Sequence, residues 1–168
     1  KDAQLIGIRD AAVLRCSPFF NAIVGGRGTG KSTMVHALRL ATRRDKELEE
    51  LGRDNALQRQ FESFRQVASG RGQRGALRPN TEIQVEWQRR EEGLHEEFRL
   101  IWRTDGEGNV VETRRDGRWQ PAPSQDVNAR RFPLRILSQG QIAAMASGGR
   151  RALLSIIDES DANIGTLL

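Results

Sequence analysis

The chain has 168 residues, 37% of them apolar, enough for one soluble domain with a core of its own. A single cysteine, Cys16, excludes an internal disulfide and a cysteine-rich metal site, and no signal peptide or membrane-length apolar run occurs, so the sequence points to the cytoplasm. The net charge of +5 and the pI near 10.5 come almost wholly from arginine, with Lys1, Lys31 and Lys46 the only lysines. Both a solvated arginine-biased surface and contact with nucleic acid fit that balance.

Residues 5–9 (LIGIR) and 12–14 (AVL) read as a strand pair leading into a third short strand, residues 21–24 (NAIV). Cys16 has no histidine or acid close in sequence and reads as a buried strand thiol. Residues 25–32, GGRGTGKS, then fit G-x-x-x-x-G-K-[ST] at every fixed position. Residues 32–41 follow with apolar side chains at helical spacing.

Strand, glycine loop and helix is the arrangement that cradles phosphates. Gly25, Gly26, Gly28 and Gly30 let the backbone take positive φ and turn its N–H groups inward, and the helix adds its positive dipole end. The predicted nucleotide contacts are Gly25, Gly26, Arg27, Gly28, Thr29, Gly30, Lys31, Ser32 and Thr33. Lys31 is expected to reach the β- and γ-phosphates, Ser32 to offer its hydroxyl to Mg²⁺, and Thr33 to lie near the α-phosphate. No Asn-Lys-x-Asp guanine signature occurs, and Asp105-x-x-Gly108 falls in a predicted hairpin turn. ATP with Mg²⁺ is therefore the expected ligand.

Residues 46–51 and 55–68 read as helices, the second with an apolar stripe of Leu57, Phe61, Phe64 and Ala68. Residues 69–80 have loop composition and carry Arg71, Arg74 and Arg78, within reach of DNA phosphates if the loop serves as a contact. Residues 82–87 alternate apolar and polar, residues 97–103 and 110–114 read as further strands, and Asp116-Gly117 is a hairpin signal before 118–120. Trp87, Trp102 and Trp119 fall in these strands, where sheet packing is the default. Residues 132–137 (FPLRIL) read as one more strand. His36 and His95 have no metal-ligand company, and Glu91, Glu92, Glu96 and Glu97 read as a solvated charge cluster.

Ser138-Gln139-Gly140-Gln141-Ile142 follows that last strand. In this order, after the glycine loop and an antiparallel meander, it resembles the Q-loop of the ABC-type ATPase heads of SMC, RecF and related DNA-repair proteins. The wording LIGIRD…FNAIVGGRGTGKST…LSQGQI looks most like the ATPase module of bacterial PHP-associated, TrlF-type proteins. The resemblance implies an α/β P-loop NTPase lobe with a mixed sheet and an inserted antiparallel β-meander, spanning residues 1–168. Residues 143–168 would form helices leading toward a coiled-coil arm or C-terminal lobe. It implies catalytic roles for Lys31 and Gln139, with Gln139 meeting the Mg²⁺ and the attacking water beside Ser32. It also implies an ATP-dependent pairing with a second head, a C-terminal lobe of the same protein as partner, DNA as a possible ligand, and no membrane. Arg27 stands where many SMC heads have asparagine, so contacts of that side chain do not transfer.

A complete ABC head also needs a signature motif, a Walker B strand ending in Asp-Glu, and a switch histidine. Residues 147–150 (SGGR) and Asp158-Glu159 mimic the first two, but the nine positions from Gly149 to Asp158 leave no room for the helix and turn between them. Residues 150–158 fit one amphipathic helix at the root of the arm better. The chain begins at Lys1 and ends in an apolar GTLL, and reads as a segment of a longer protein that binds nucleotide and turns it over slowly alone. Two other classes stay open: a self-contained P-loop kinase or nucleotide-binding regulator acting on a small molecule, and an interaction module whose arginine-rich face holds DNA regardless of ATP.

Overall fold

The computed structural model describes residues 13–49, 55–68, 75–91 and 93–147. The chain forms two compact units, residues 1–134 and 135–168. The first is α/β. Helix α1 (Lys31–Ala41), a short α2 (Lys46–Glu49) and α3 (Ala56–Arg65) precede strands β1 (Glu82–Glu91), β2 (Leu94–Arg103), β3 (Val111–Arg115) and β4 (Arg118–Pro121). The strands make one sheet in chain order, antiparallel throughout. The second unit carries α4 (Gln139–Ser147).

The period of two along each strand decides the packing. Ile83, Val85 and Trp87 face Trp102, Leu100 and Phe98 across the β1–β2 ladder, and all six share one side of the sheet. Two clusters form on that side. Leu40, Leu48, Phe61, Phe64 and Leu77 bury themselves with Ile83 and Trp102 at the edge, while Phe98, Leu100, Val111, Ala122 and Phe132 do so with Val85, Trp87 and Val127. Helix α1 lies against β1 and β2 and is thereby fixed to the first cluster. Helix α3 contributes Leu57, Phe61 and Phe64 of the predicted stripe but ends at Arg65, short of the expected residue 68, and starts where Asn55 Oδ1 accepts the Leu57 N–H at 2.9 Å.

The turns follow their residues. Asp116 (φ 49°) and Gly117 (φ 75°) both take positive φ, as a two-residue type I′ hairpin requires. Of the glutamates expected to form a solvated cluster, Glu96 and Glu97 lie in β2, just past the β1–β2 hairpin that turns at Gly93, and are part-buried and ion-paired. Glu96 faces Arg89 at 3.6 Å, and Glu97 holds Arg114 at 3.0 Å.

Two expected strands are absent from the described sheet, so it is antiparallel rather than mixed. Residues 21–24, with Val13 and Leu14 before them, are irregular and exposed. The local polar groups explain this: Asn21 Oδ1 accepts the Ser17 N–H at 2.7 Å, Asn21 Nδ2 donates to Ser17 O at 2.8 Å, and Ser17 Oγ accepts the Phe19 N–H at 3.2 Å. This side-chain-closed turn competes with a ladder. Cys16, expected to be buried in a strand, is exposed for the same reason.

Residues 132–137 also form no strand. Phe132 is completely buried edge-on to Trp87 and Phe98, its N–H bound to Asn128 O at 3.0 Å and its carbonyl to Arg44 Nη2 at 2.8 Å. Pro133 then lacks the N–H that a ladder needs. The expected strand at 5–9, Arg71 and Arg74 of the basic loop, the SGGR mimic after Ser147, and Asp158-Glu159 lie outside the described residues.

Candidate functional site: the glycine loop and the start of helix α1

The glycine loop closes on its own lysine. Lys31 Nζ donates to Gly25 O at 2.6 Å, to Gly26 O, and more distantly to Thr29 Oγ1 at 3.5 Å. Thr29 Oγ1 in turn donates to Gly26 O at 3.0 Å. Gly28 (φ 81°) and Gly30 (φ 84°) supply the left-handed turns that bring these carbonyls around the ammonium. Space is tight at the loop's start, since a Cβ on Gly25 would lie 3.0 Å from Thr29 Oγ1. The glycines are thus spent on wrapping backbone around one cation.

Helix α1 leaves the loop without a side-chain cap. Gly30 is its N-cap, no acid occupies the first turn, and the first intrahelical bond runs from Met34 N–H to Gly30 O at 3.0 Å. The N–H groups of Lys31, Ser32 and Thr33 come ahead of that bond, where a helix carries its partial positive charge. The Ser32 hydroxyl is exposed at the same end, Thr33 is half-buried, and Arg27 is exposed on the loop. Backbone donors, an ammonium and a hydroxyl therefore converge on one helix end. That set suits a polyphosphate with its divalent cation. The predicted residues from Gly25 to Thr33 are brought together here as one continuous loop and first turn.

One turn further along α1 stands His36, 3% exposed, its ring 5.4 Å from Phe61 and 5.3 Å from Phe64. Burial, with a smaller contribution from the Arg39 guanidinium, lowers its pKa from 6.5 to about 4, so the ring is neutral at pH 7. It is a packing residue that ties the loop-bearing helix to α3. At the far end of α1, Arg39 and Arg44 share Glu47 at 3.9 and 3.7 Å. A cavity of about 290 Å³ opens beside that C-terminal end, lined by Leu40, Arg43, Asp45, Leu100, Trp102 and Val127 among others. It lies a helix length, about 16 Å, from the glycine loop.

The second unit gives the Gln-Gly-Gln motif a structural role. Helix α4 begins at Gln139 itself. Ser138 O accepts the Ile142 N–H at 3.0 Å, and Gln141 Oε1 reaches back to the Ser138 N–H at 2.9 Å. That is half of a capping box, matching the S-x-x-Q pattern of residues 138–141. Gln139 is exposed in the first turn.

Among the described residues no group of three or more His, Cys, Asp or Glu is placed to hold a metal ion, and no helix is long and apolar enough to cross a membrane. Comparison with protein-family models, curated proteins and solved structures gives no match.

Proposed function

We propose that this chain binds Mg²⁺-ATP on residues 25–33, as the N-terminal lobe of an SMC/RecF-like ATPase head serving DNA metabolism or defence. The observation that carries the reading is the closed glycine loop. A complete G-x-x-x-x-G-K-S sequence wraps Lys31 and opens directly into an uncapped helix. Lys31 neutralises phosphate charge, the loop and first-turn N–H groups orient the phosphate chain, and Ser32 offers its hydroxyl to the metal. Gln139, by resemblance to the Q-loop, is proposed to meet the same metal and the attacking water. Mg²⁺, when bound, supplies neutralisation of the charge that builds on the transferred phosphoryl group.

Catalysis of this kind is mainly electrostatic positioning, so an incomplete set of groups binds well and turns over slowly. Full activity is assigned to completion by a C-terminal lobe and a second head. The test follows phosphate release and sedimentation of the chain with ATP, with GTP and without nucleotide. Tight ATP binding, little turnover and an ATP-dependent shift toward dimer support the half-site. Robust turnover by a monomer would favour a self-contained NTPase instead.

A further inference from the structure

The two sides of the sheet treat arginine differently. On the side away from the core, each guanidinium of the central strands has a carboxylate: Arg99 with Glu112 at 2.5 Å, Arg103 with Glu82 at 2.5 Å, and Arg114 with Glu97 at 3.0 Å. Trp119 is stacked under Arg99 at 4.6 Å on that same side. On the two central strands this surface is charge-paired.

The core side ends in a rim of a different kind. Arg115 and Arg118 face each other directly across the β3–β4 ladder, two residues beyond the Thr113–Gln120 pair. Thr113 itself pairs with Phe98, so the two arginines extend the core face by one strand repeat, roughly 7 Å past Phe98. Like charges directly opposite one another destabilise a ladder. Among the described residues neither arginine has a carboxylate within ion-pairing distance, and both are exposed.

A second segment borders the same face. Arg131 lies over the rings of Phe98 and Phe132 at 5.1 and 5.0 Å, anchored by Ser124 O and Asp126 O at 2.7 and 2.9 Å. Its carbonyl accepts from Arg89 Nη2 at 2.5 Å, and Arg89 also meets Glu96. Arg130 beside it is exposed and, among the described residues, has no ion pair. Arg115, Arg118, Arg130 and Arg131 thus gather arginine charge along this rim, with Glu96 held by Arg89. Rigid placement accompanies the excess charge, because the type I′ turn fixes Arg115 and Arg118 side by side.

We infer that this rim, centred on Arg115, Arg118 and Arg130, binds the phosphate backbone of nucleic acid. Planar guanidiniums accept phosphate oxygens two at a time, and adjacent ones on a stiff ribbon match a chain of phosphates better than a single anion. Bound phosphates also remove the repulsion that the Arg115–Arg118 pair otherwise carries. The inference is independent of the nucleotide reading, since it uses no residue of the glycine loop.

The test is fluorescence anisotropy with a labelled 20-base-pair duplex and a 20-nucleotide single strand at several salt concentrations. Arg115→Ala/Arg118→Ala should weaken binding at least tenfold at 100 mM salt and make the log–log salt slope shallower by about 1.8, two phosphates' worth of released counterions. Arg59→Ala/Arg90→Ala removes the same charge from exposed positions on α3 and the opposite sheet face, and should change affinity less than twofold. Lys31→Ala should leave this binding intact even where it destroys nucleotide binding. An equal loss in the control pair, binding only to phosphatidylserine vesicles, or no binding to either nucleic acid would overturn the inference. A preference for duplex or single strand supports it either way and identifies the form bound.

Discussion

His36 makes the stability of the loop-bearing helix depend on pH in a direction the structure fixes. Its ring is 3% exposed between Phe61 and Phe64, and its pKa falls from 6.5 in the unfolded chain to about 4 in the folded one. Well above pH 6.5 neither state is protonated and the group has no effect. Between pH 6.5 and 4 the unfolded state takes up a proton that the folded state refuses, so stability falls as pH falls. For those two pKa values the loss between pH 7 and pH 5 is about 2 kcal/mol. His36→Leu keeps an apolar side chain of similar bulk against the two phenylalanines and has nothing to titrate. Urea unfolding of both proteins at pH 7, 6 and 5 isolates the effect, because the carboxylates contribute equally to each. The wild type should lose about 2 kcal/mol more than the variant over that range. Parallel pH profiles would mean that His36 is hydrated or protonated in the folded chain, and the packing account of α1 would fail.

Two further substitutions test local geometry. Arg43 ends α1 in the left-handed region (φ 53°), with Arg44 N–H to Arg39 O at 2.8 Å and Arg43 N–H to Leu40 O at 3.2 Å, the bond pattern of a Schellman cap. Glycine is favoured at that position, so Arg43→Gly should raise stability by about 1 kcal/mol in urea unfolding; a loss would mean that the Arg43 contact with Gln125 O matters more than the strain. Gly75→Ala should do the opposite, since the new Cβ would stand 2.3 Å from Gln66 O and force apart the segments joined by the Val67–Leu77 bridge. A cost of about 1–3 kcal/mol in thermal or urea unfolding is expected, and a neutral result would refute that close approach.

What the sequence revealed divides along physical lines. Strict alternation in β1, the Asp116-Gly117 turn and the α3 stripe are local patterns with one satisfactory packing, and each was legible. The glycine loop was legible because its residues specify a backbone conformation rather than a neighbour. Residues 21–24 and 132–137 were misread as strands because an apolar run says that a segment is to be buried, not that a ladder awaits it. Asn21 and Ser17 close a turn on their own backbones, and Pro133 withholds a donor. The half capping box at Ser138 and Gln141 is written in four residues, and the same four letters fit another motif. The unequal charge compensation of the two sheet faces depends on register, which composition does not carry.

Nucleotide binding by this chain rests on the glycine loop, and its most direct test is calorimetric titration of Mg²⁺-ATP into the wild-type chain and Lys31→Ala. Two charge-assisted contacts to phosphate are worth roughly 1.5–3 kcal/mol each, so the variant should bind at least a hundredfold more weakly while retaining the wild-type circular dichroism spectrum. Undiminished affinity in Lys31→Ala, or no binding by the wild type, would contradict the assignment of residues 25–33 as the nucleotide site.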